Sequence, residues 1–279
     1  MGRLFRAFLF KLKRDLTFRI TLIIGAAVAV IMALLFFLID ATTYESGGSF
    51  MRTLTGPNML LNSISPVQNF GISIPVNLIS FTCLEFTQGT IRNKIISGNS
   101  KLKIYLSLFL SGLVFTFALF FAYAGLCTLF GTIFGGFNLD DPVLSVFGTL
   151  GTGYVDVSYL VRTLVIALLI YVTIAAFTIF ISATFRSIGP SIPIVIVVLM
   201  IAFFSGLFFS LTYQDNETLI TIMKVVNPLY GMSAAQLDFE TGVMLIDNST
   251  FICSIVCNLV YTVLFTTLGA LIFTKKDVK

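Results

Sequence analysis

Six stretches of this 279-residue chain are continuously apolar and about 20 residues or longer: 20–39, 66–87, 104–134, 160–184, 188–212 and 251–273. An α-helix rises about 1.5 Å per residue, so about 20 apolar residues cross the roughly 30 Å hydrocarbon core of a bilayer. In lipid every backbone N–H and C=O must find its partner within the protein, which leaves helices and closed barrels. Barrel strands alternate apolar and polar residues, and these runs do not. The sequence therefore predicts an all-α integral membrane protein with six transmembrane helices. Only 11% of the residues are charged, against about 25% in soluble domains. The 30 Phe suit a surface facing lipid. The third run is long enough to tilt or to continue past the bilayer. The first is too long for a signal-peptide core and is expected to be a retained helix.

Basic residues orient the spans. With the N-terminus in the cytoplasm, the inner segments hold Arg3, Arg6, Lys11, Lys13, Arg14, Arg19, Arg92, Lys94, Lys101, Lys103, Arg186, Lys275, Lys276 and Lys279, fourteen of the 17 Lys and Arg. Only Arg52, Arg162 and Lys224 fall outside. Ten of the 13 acidic residues lie on the outer side. A Lys/Arg bias of this size places both termini in the cytoplasm. The cations hug the inner interface, where anionic lipid attracts them, so membrane lipid and not nucleic acid is the expected partner of this charge.

Residues 1–19 read as an amphipathic interface helix. Leu4, Phe5, Phe8, Leu9, Leu12 and Leu16 recur at helical spacing, with Arg3, Arg6, Lys13 and Arg14 opposite. Such a helix lies along the headgroups or touches a cytoplasmic partner. Residues 20–279 form the membrane domain. Within it, 40–65 and 135–159 read as polar or Gly-rich loops. The last outer connection, 213–250, carries Leu219, Ile220, Ile222, Met223, Val225 and Val226 and then Asn227-Pro228. That apolar run is too short to span, and Pro228 breaks it. A short re-entrant helical hairpin is expected there, tolerated where protein covers its backbone.

Several chemistries are excluded. No Gly-x-x-x-x-Gly-Lys-Ser/Thr occurs, so ATP is not bound through a P-loop. There is no His, no His-Glu-x-x-His and no Gly-x-Ser-x-Gly. Neither an enzyme nor a cofactor site is expected in this chain. Cys83, Cys127, Cys253 and Cys257 lie in apolar runs and read as small buried hydrophobes; no metal site is expected. Glu85, close to the inner end of the second span, is the sole carboxylate within the runs. Ion-coupled carriers keep ionisable groups near the midplane.

One segment departs from this economy of charge. Residues 88–103, Gln-Gly-Thr-Ile-Arg-Asn-Lys-Ile-Ile-Ser-Gly-Asn-Ser-Lys-Leu-Lys, are basic, helix-compatible and wedged between two apolar runs. Together with Glu85 they resemble the first cytoplasmic loop of type 2 ABC transporter permeases. The resemblance extends to the whole chain: similar length, six spans, both ends inside and a tail like Lys275-Lys276-Asp277. Many members have a Pro-x-Ser-Arg turn where this chain has Gly98-Asn99-Ser100-Lys101. The resemblance implies a coupling helix seated in a cleft of a separate ATPase. It implies Glu85 at the membrane exit, Gly89 starting the helix and Thr90 as N-cap. Arg92, Asn93, Lys94 and Lys101 would supply polar contacts, Ile91, Ile95 and Ile96 would pack, and Gly98 would close the helix in a left-handed cap.

The resemblance further implies a permease subunit of an ATP-driven exporter, with two permease chains, homo- or heteromeric, and two ATPase subunits that bind the ATP. The location implied is a bacterial plasma membrane, and the cargo a hydrophobic or peptide-like substrate such as an antimicrobial peptide or drug. Pro75 and Asn77 in the second span and Pro193 and Gly206 in the fifth would line the path, although Asn77 equally suits an interhelical hydrogen bond. Two alternatives remain open on the residues alone: a stand-alone ion-coupled carrier, and an immunity or sensor protein that binds a peptide without moving it.

Overall fold

Helices dominate the computed structural model, which describes residues 2–45, 55–65, 71, 73–138, 143–144, 152–212, 219, 222–223, 226–229, 236–237 and 243–276. In order these are α1 (Gly2–Arg14), α2 (Leu16–Glu45), α3 (Gly56–Ile64), α4 (Ser73–Thr87), α5 (Thr90–Ile96), α6 (Lys101–Gly135), β1 (Val143–Leu144), β2 (Thr152–Val155), α7 (Val157–Phe185), α8 (Ile188–Thr212), β3 (Gln236–Leu237), β4 (Val243–Leu245) and α9 (Asn248–Lys275). Among the described residues, five helices are long and apolar enough to cross a membrane: Leu16–Leu38 of α2, α6, α7, Ile188–Ser205 of α8, and α9.

Of the second apolar run, 66–87, the described helix is α4, 15 residues or about 22 Å at 1.5 Å per residue; 66–70 and 72 lie outside the described residues. Upstream, in a stretch read as loop, lies the nine-residue α3. Thr55 precedes it in extended conformation and Pro57 occupies its first turn, where proline's missing N–H costs nothing. α3 begins beside the C-terminal end of α6: Gly56 N donates to Gly136 O at 2.9 Å. Gly131 of α6 lets it approach, because a Cβ there would lie 2.7 Å from both Thr55 O and Met59 Cγ. α4 meets the same helix further down, at Gly112, where a Cβ would be 3.3 Å from Leu78 and 2.6 Å from Ile179 of α7. Two short helices thus run along the length of α6.

α6 and α7 form the centre, with 56% and 67% of their most apolar windows buried, against 22%, 11% and 17% for α2, α8 and α9. α9 packs chiefly on α7, and α2 and α3 on α6. At Gly269, α9 presses so closely on the Tyr105 ring of α6 that any Cβ would collide with it. The outward rows of α2, α8 and α9 remain apolar, including Ile23, Ile201, Phe204, Val260 and Val263. That pattern suits helices bordering hydrocarbon.

Two expectations for the connections change. Among the described residues four short strands occur, in the order β1-β2-β4-β3, with β2 and β4 parallel and the outer pairs antiparallel. The connection after α6 and the one before α9 therefore share a sheet, and β3–β4 replaces helix in the second half of the expected 213–250 hairpin. In the first half, Asn227-Pro228-Leu229 follows residues with helical conformation at 219, 222–223 and 226. The remainder of that stretch lies outside the described residues.

The apolar stripe of α1 meets the protein itself. Leu4, Phe8 and Leu12 are buried in the protein core, against α6 and α2. Asp15 ends it and starts α2 by accepting from Thr17 N at 3.0 Å. Arg19 donates twice to Lys13 O, at 3.1 Å, covering a terminal carbonyl of α1.

Candidate functional site

Residues 85–101 connect α4 to α6. Gly89 sits at φ +67°, a left-handed turn that glycine adopts without a Cβ penalty, and the chain reverses into α5. Gly89, not Thr90, is the N-cap, and no side chain caps this end. Thr90 is the first helical residue, and its hydroxyl donates instead to Glu85 Oε2 at 2.6 Å. At the other end Gly98 N donates to Ile95 O at 2.9 Å and Asn99 N to Lys94 O at 3.3 Å, with Gly98 at φ +84°. These paired bonds are a Schellman closure, which is how this chain ends the helix without a proline turn.

Glu85 is fully buried. Lys11 Nζ of α1 lies 2.7 Å from Oε1, and Lys94 Nζ of α5 lies 3.0 Å from Oε2. Lys11 also donates to Gln88 Oε1 at 3.0 Å. Lys94 sits 3.2 Å from the Phe8 ring centroid, so the cation is held between a carboxylate and an aromatic face. One carboxylate thereby ties three elements together. Taking a carboxylate out of water costs several kcal/mol unless it is paired and hydrogen-bonded; here two ammonium groups and a hydroxyl supply the partners. Burial lowers the pKa of Lys94 from the ordinary lysine value, and the Glu85 charge opposes that fall.

The other face of α5 is open. Arg92, Asn93, Ser97 and Gly98 are exposed. So is Ile96, at 73%. Ile91 is fully buried, and Ile95 packs partly against the core. One expectation is corrected here: Lys94 points inward to Glu85 and is not available as an outward contact. Lys101 donates to Thr274 O at 3.1 Å and Lys276 O at 3.3 Å, where a cation favours the C-terminal carbonyls of α9. Arg186 Nη2 reaches the same Lys276 O at 3.3 Å.

The residues expected along a path lie in α4 and α8. Pro75 is in the first turn of α4, where a proline breaks no backbone bond of the helix. Asn77 Nδ2 donates back to Ser73 O at 2.8 Å, within its own helix and not across to another. Pro193 is inside α8 and exposed. Gly206 belongs to α8, and its packing lies outside the described residues. Sequence reasoning missed Lys11, Phe8 and Gln88 as members of the cluster. Lys11 was visible as a cation flanking the apolar stripe Phe8–Leu12, but nothing local tied it to Glu85.

A family described as "Protein of unknown function (DUF2705)" has a profile that matches residues 30–279. No curated protein matches the chain.

Proposed function

The chain belongs to the DUF2705 family, and we propose that it is the transmembrane permease subunit of an ATP-driven exporter, paired with a separate ABC-type ATPase. One observation carries the proposal. A short helix, α5, is locked to α1 and α4 through the buried Glu85 cluster, yet offers Arg92, Asn93 and Ile96 outward. A helix fixed on one side and open on the other can pass force from a docked protein into the bundle.

In this mechanism both termini and α5 face the cytoplasm, as the Lys/Arg bias supports. Five helices cross singly, and α3 with α4 makes the sixth crossing as a broken pair, covered by α6 and α7. Ile96 fills an apolar notch of the ATPase while Arg92 and Asn93 contact its rim. When ATP closes the paired ATPase subunits, α5 is drawn inward. Because Glu85 joins α5 to α4 and Lys11 joins α1 to both, the three move as one body, and the bundle shifts between two packings. Two permease chains flank the path, and the cargo is a hydrophobic or peptide-like molecule moved outward across a bacterial plasma membrane.

The test is co-purification of the tagged permease with an ABC-type ATPase of the same organism. Ile96→Glu and Arg92→Glu change exposed positions and should leave folding within about 0.5 kcal/mol of wild type. Each should lower ATPase recovery and transport-linked ATP hydrolysis about tenfold, equivalent to roughly 1.4 kcal/mol of docking energy. Unchanged recovery and hydrolysis in both variants would overturn the proposal.

A further inference from the structure

A cavity of about 200 Å³ lies between α7, α8, α9 and the segment 227–229. Its wall is hydrocarbon, with Phe177, Leu199, Leu229 and Phe265 among the lining residues. Two polar side chains reach it, and both are already engaged. Thr173 Oγ1 lies 2.9 Å from Asn258 Oδ1 and 3.1 Å from Thr262 Oγ1. Tyr261 OH donates to Val226 O at 2.8 Å. The Pro228 carbonyl accepts from Asn258 Nδ2 at 3.2 Å. A water or polar ligand inside would leave its own hydrogen-bonding groups unmet. An apolar cavity of about 150 Å³ stays dry yet binds benzene or xenon, and this one is larger.

The cavity adjoins the apolar outer surface. Val198 lines it and is 42% exposed. Its neighbours Val197 and Ile201 on α8, and Val260 and Leu264 on α9, are exposed as well. These helices have the length and composition to cross a bilayer, so the molecule best placed to enter between them is hydrocarbon from the bilayer itself. We propose that the cavity is a lipid site, holding one acyl chain of a membrane phospholipid that enters between α8 and α9 past Val198. The site is independent of α5 and of the ATPase.

The chain contains no Trp, so a single introduced Trp reports cleanly. Phe177→Trp lies in the cavity wall, Ile201→Trp faces outward, and Phe115→Trp is buried elsewhere in the core. Each full-length variant is reconstituted in phosphatidylcholine vesicles whose acyl chains carry bromine, a contact quencher of Trp emission. The expected result is quenching of Phe177→Trp comparable to Ile201→Trp, with Phe115→Trp unquenched. Adding Ala202→Phe, which fills the cavity, should cut quenching at 177 about threefold or more and leave Ile201→Trp unchanged. Should Phe177→Trp not fold, Phe265→Trp reads the same wall. Emission as resistant to bromine as Phe115→Trp would overturn the proposal, whether the space is empty or filled by a second copy of the chain. Quenching that persists with Ala202→Phe would overturn it too, because the bromine would then be reaching the ring from the outer surface.

Discussion

Two regions of the helix bundle are held by different chemistry. Where α4 meets α5, one buried carboxylate gathers two ammonium groups from separate elements. In the other, the segment around Pro228 is held by neutral groups. Asn227 Nδ2 donates to Ala202 O of α8 at 2.6 Å, Asn258 Nδ2 of α9 to Pro228 O at 3.2 Å, and Tyr261 OH to Val226 O at 2.8 Å. Removing one partner of a buried ion pair typically costs about 3–5 kcal/mol, because the survivor is left charged in low dielectric. Removing one partner of a neutral bond costs about 1–3 kcal/mol. The ionic region therefore behaves as a weld among α1, α4 and α5, while the amide region behaves as a set of clips that can open one at a time. A weld suits a place where force enters, and clips suit a segment that has to shift against its neighbours.

The largest effect should come from breaking the weld. Glu85→Ala leaves Lys11 and Lys94 facing each other without an anion, and should lower stability by about 3 kcal/mol or more. Cys83, Cys127 and Cys257 are buried thiols, so thermal unfolding can be followed by their reaction with a thiol-reactive dye. Next in size is Asn258→Leu, which strips the side-chain partner from Pro228 O and one of several partners from the Thr173 hydroxyl, at a cost of about 1–3 kcal/mol in the same assay. If Asn258→Leu destabilised as much as Glu85→Ala, the contrast between weld and clip would be lost.

What could be read from the sequence follows the range of the physics. Spans three to six appear as uninterrupted apolar runs, and α6 to α9 lie on them; α8 has the bounds read from the residues, Ile188–Thr212. α3 lies in a stretch read as loop, because Asn58, Asn62 and Ser63 keep it from counting as an apolar run. All the same, Thr55-Gly56-Pro57 is a legible helix start. The strands are two to four residues long, too short for alternation to register, and β2–β4 joins connections distant in sequence. At the site, the turns at Gly89 and Gly98 are local, and the glycines mark them. The partnership of Lys11 with Glu85 is tertiary. It depends on α1 folding back over α6, and amphipathicity alone could not distinguish a protein groove from a headgroup layer as the surface under Leu4, Phe8 and Leu12.

The smallest expected effect separates the two lysines of the weld. Lys11 is 35% exposed and Lys94 19%, so water screens the Lys11 pair more. Lys11 contributes a charge and a bond to Gln88; Lys94 contributes a charge packed on the Phe8 ring. Lys11→Met keeps most of the aliphatic stem and removes the charge, leaving Glu85 with Lys94 and Thr90. Its cost should stay below about 1 kcal/mol, as for other partly exposed pairs, and should shrink in high salt. Lys94→Met should cost more, because it deprives the fully buried carboxylate of its better-shielded partner and Phe8 of its cation. The difference between the two variants, measured by the same unfolding assay, tells which joint of the weld is stiffer. A larger cost for Lys11→Met would make α1, and not α5, the principal anchor of Glu85.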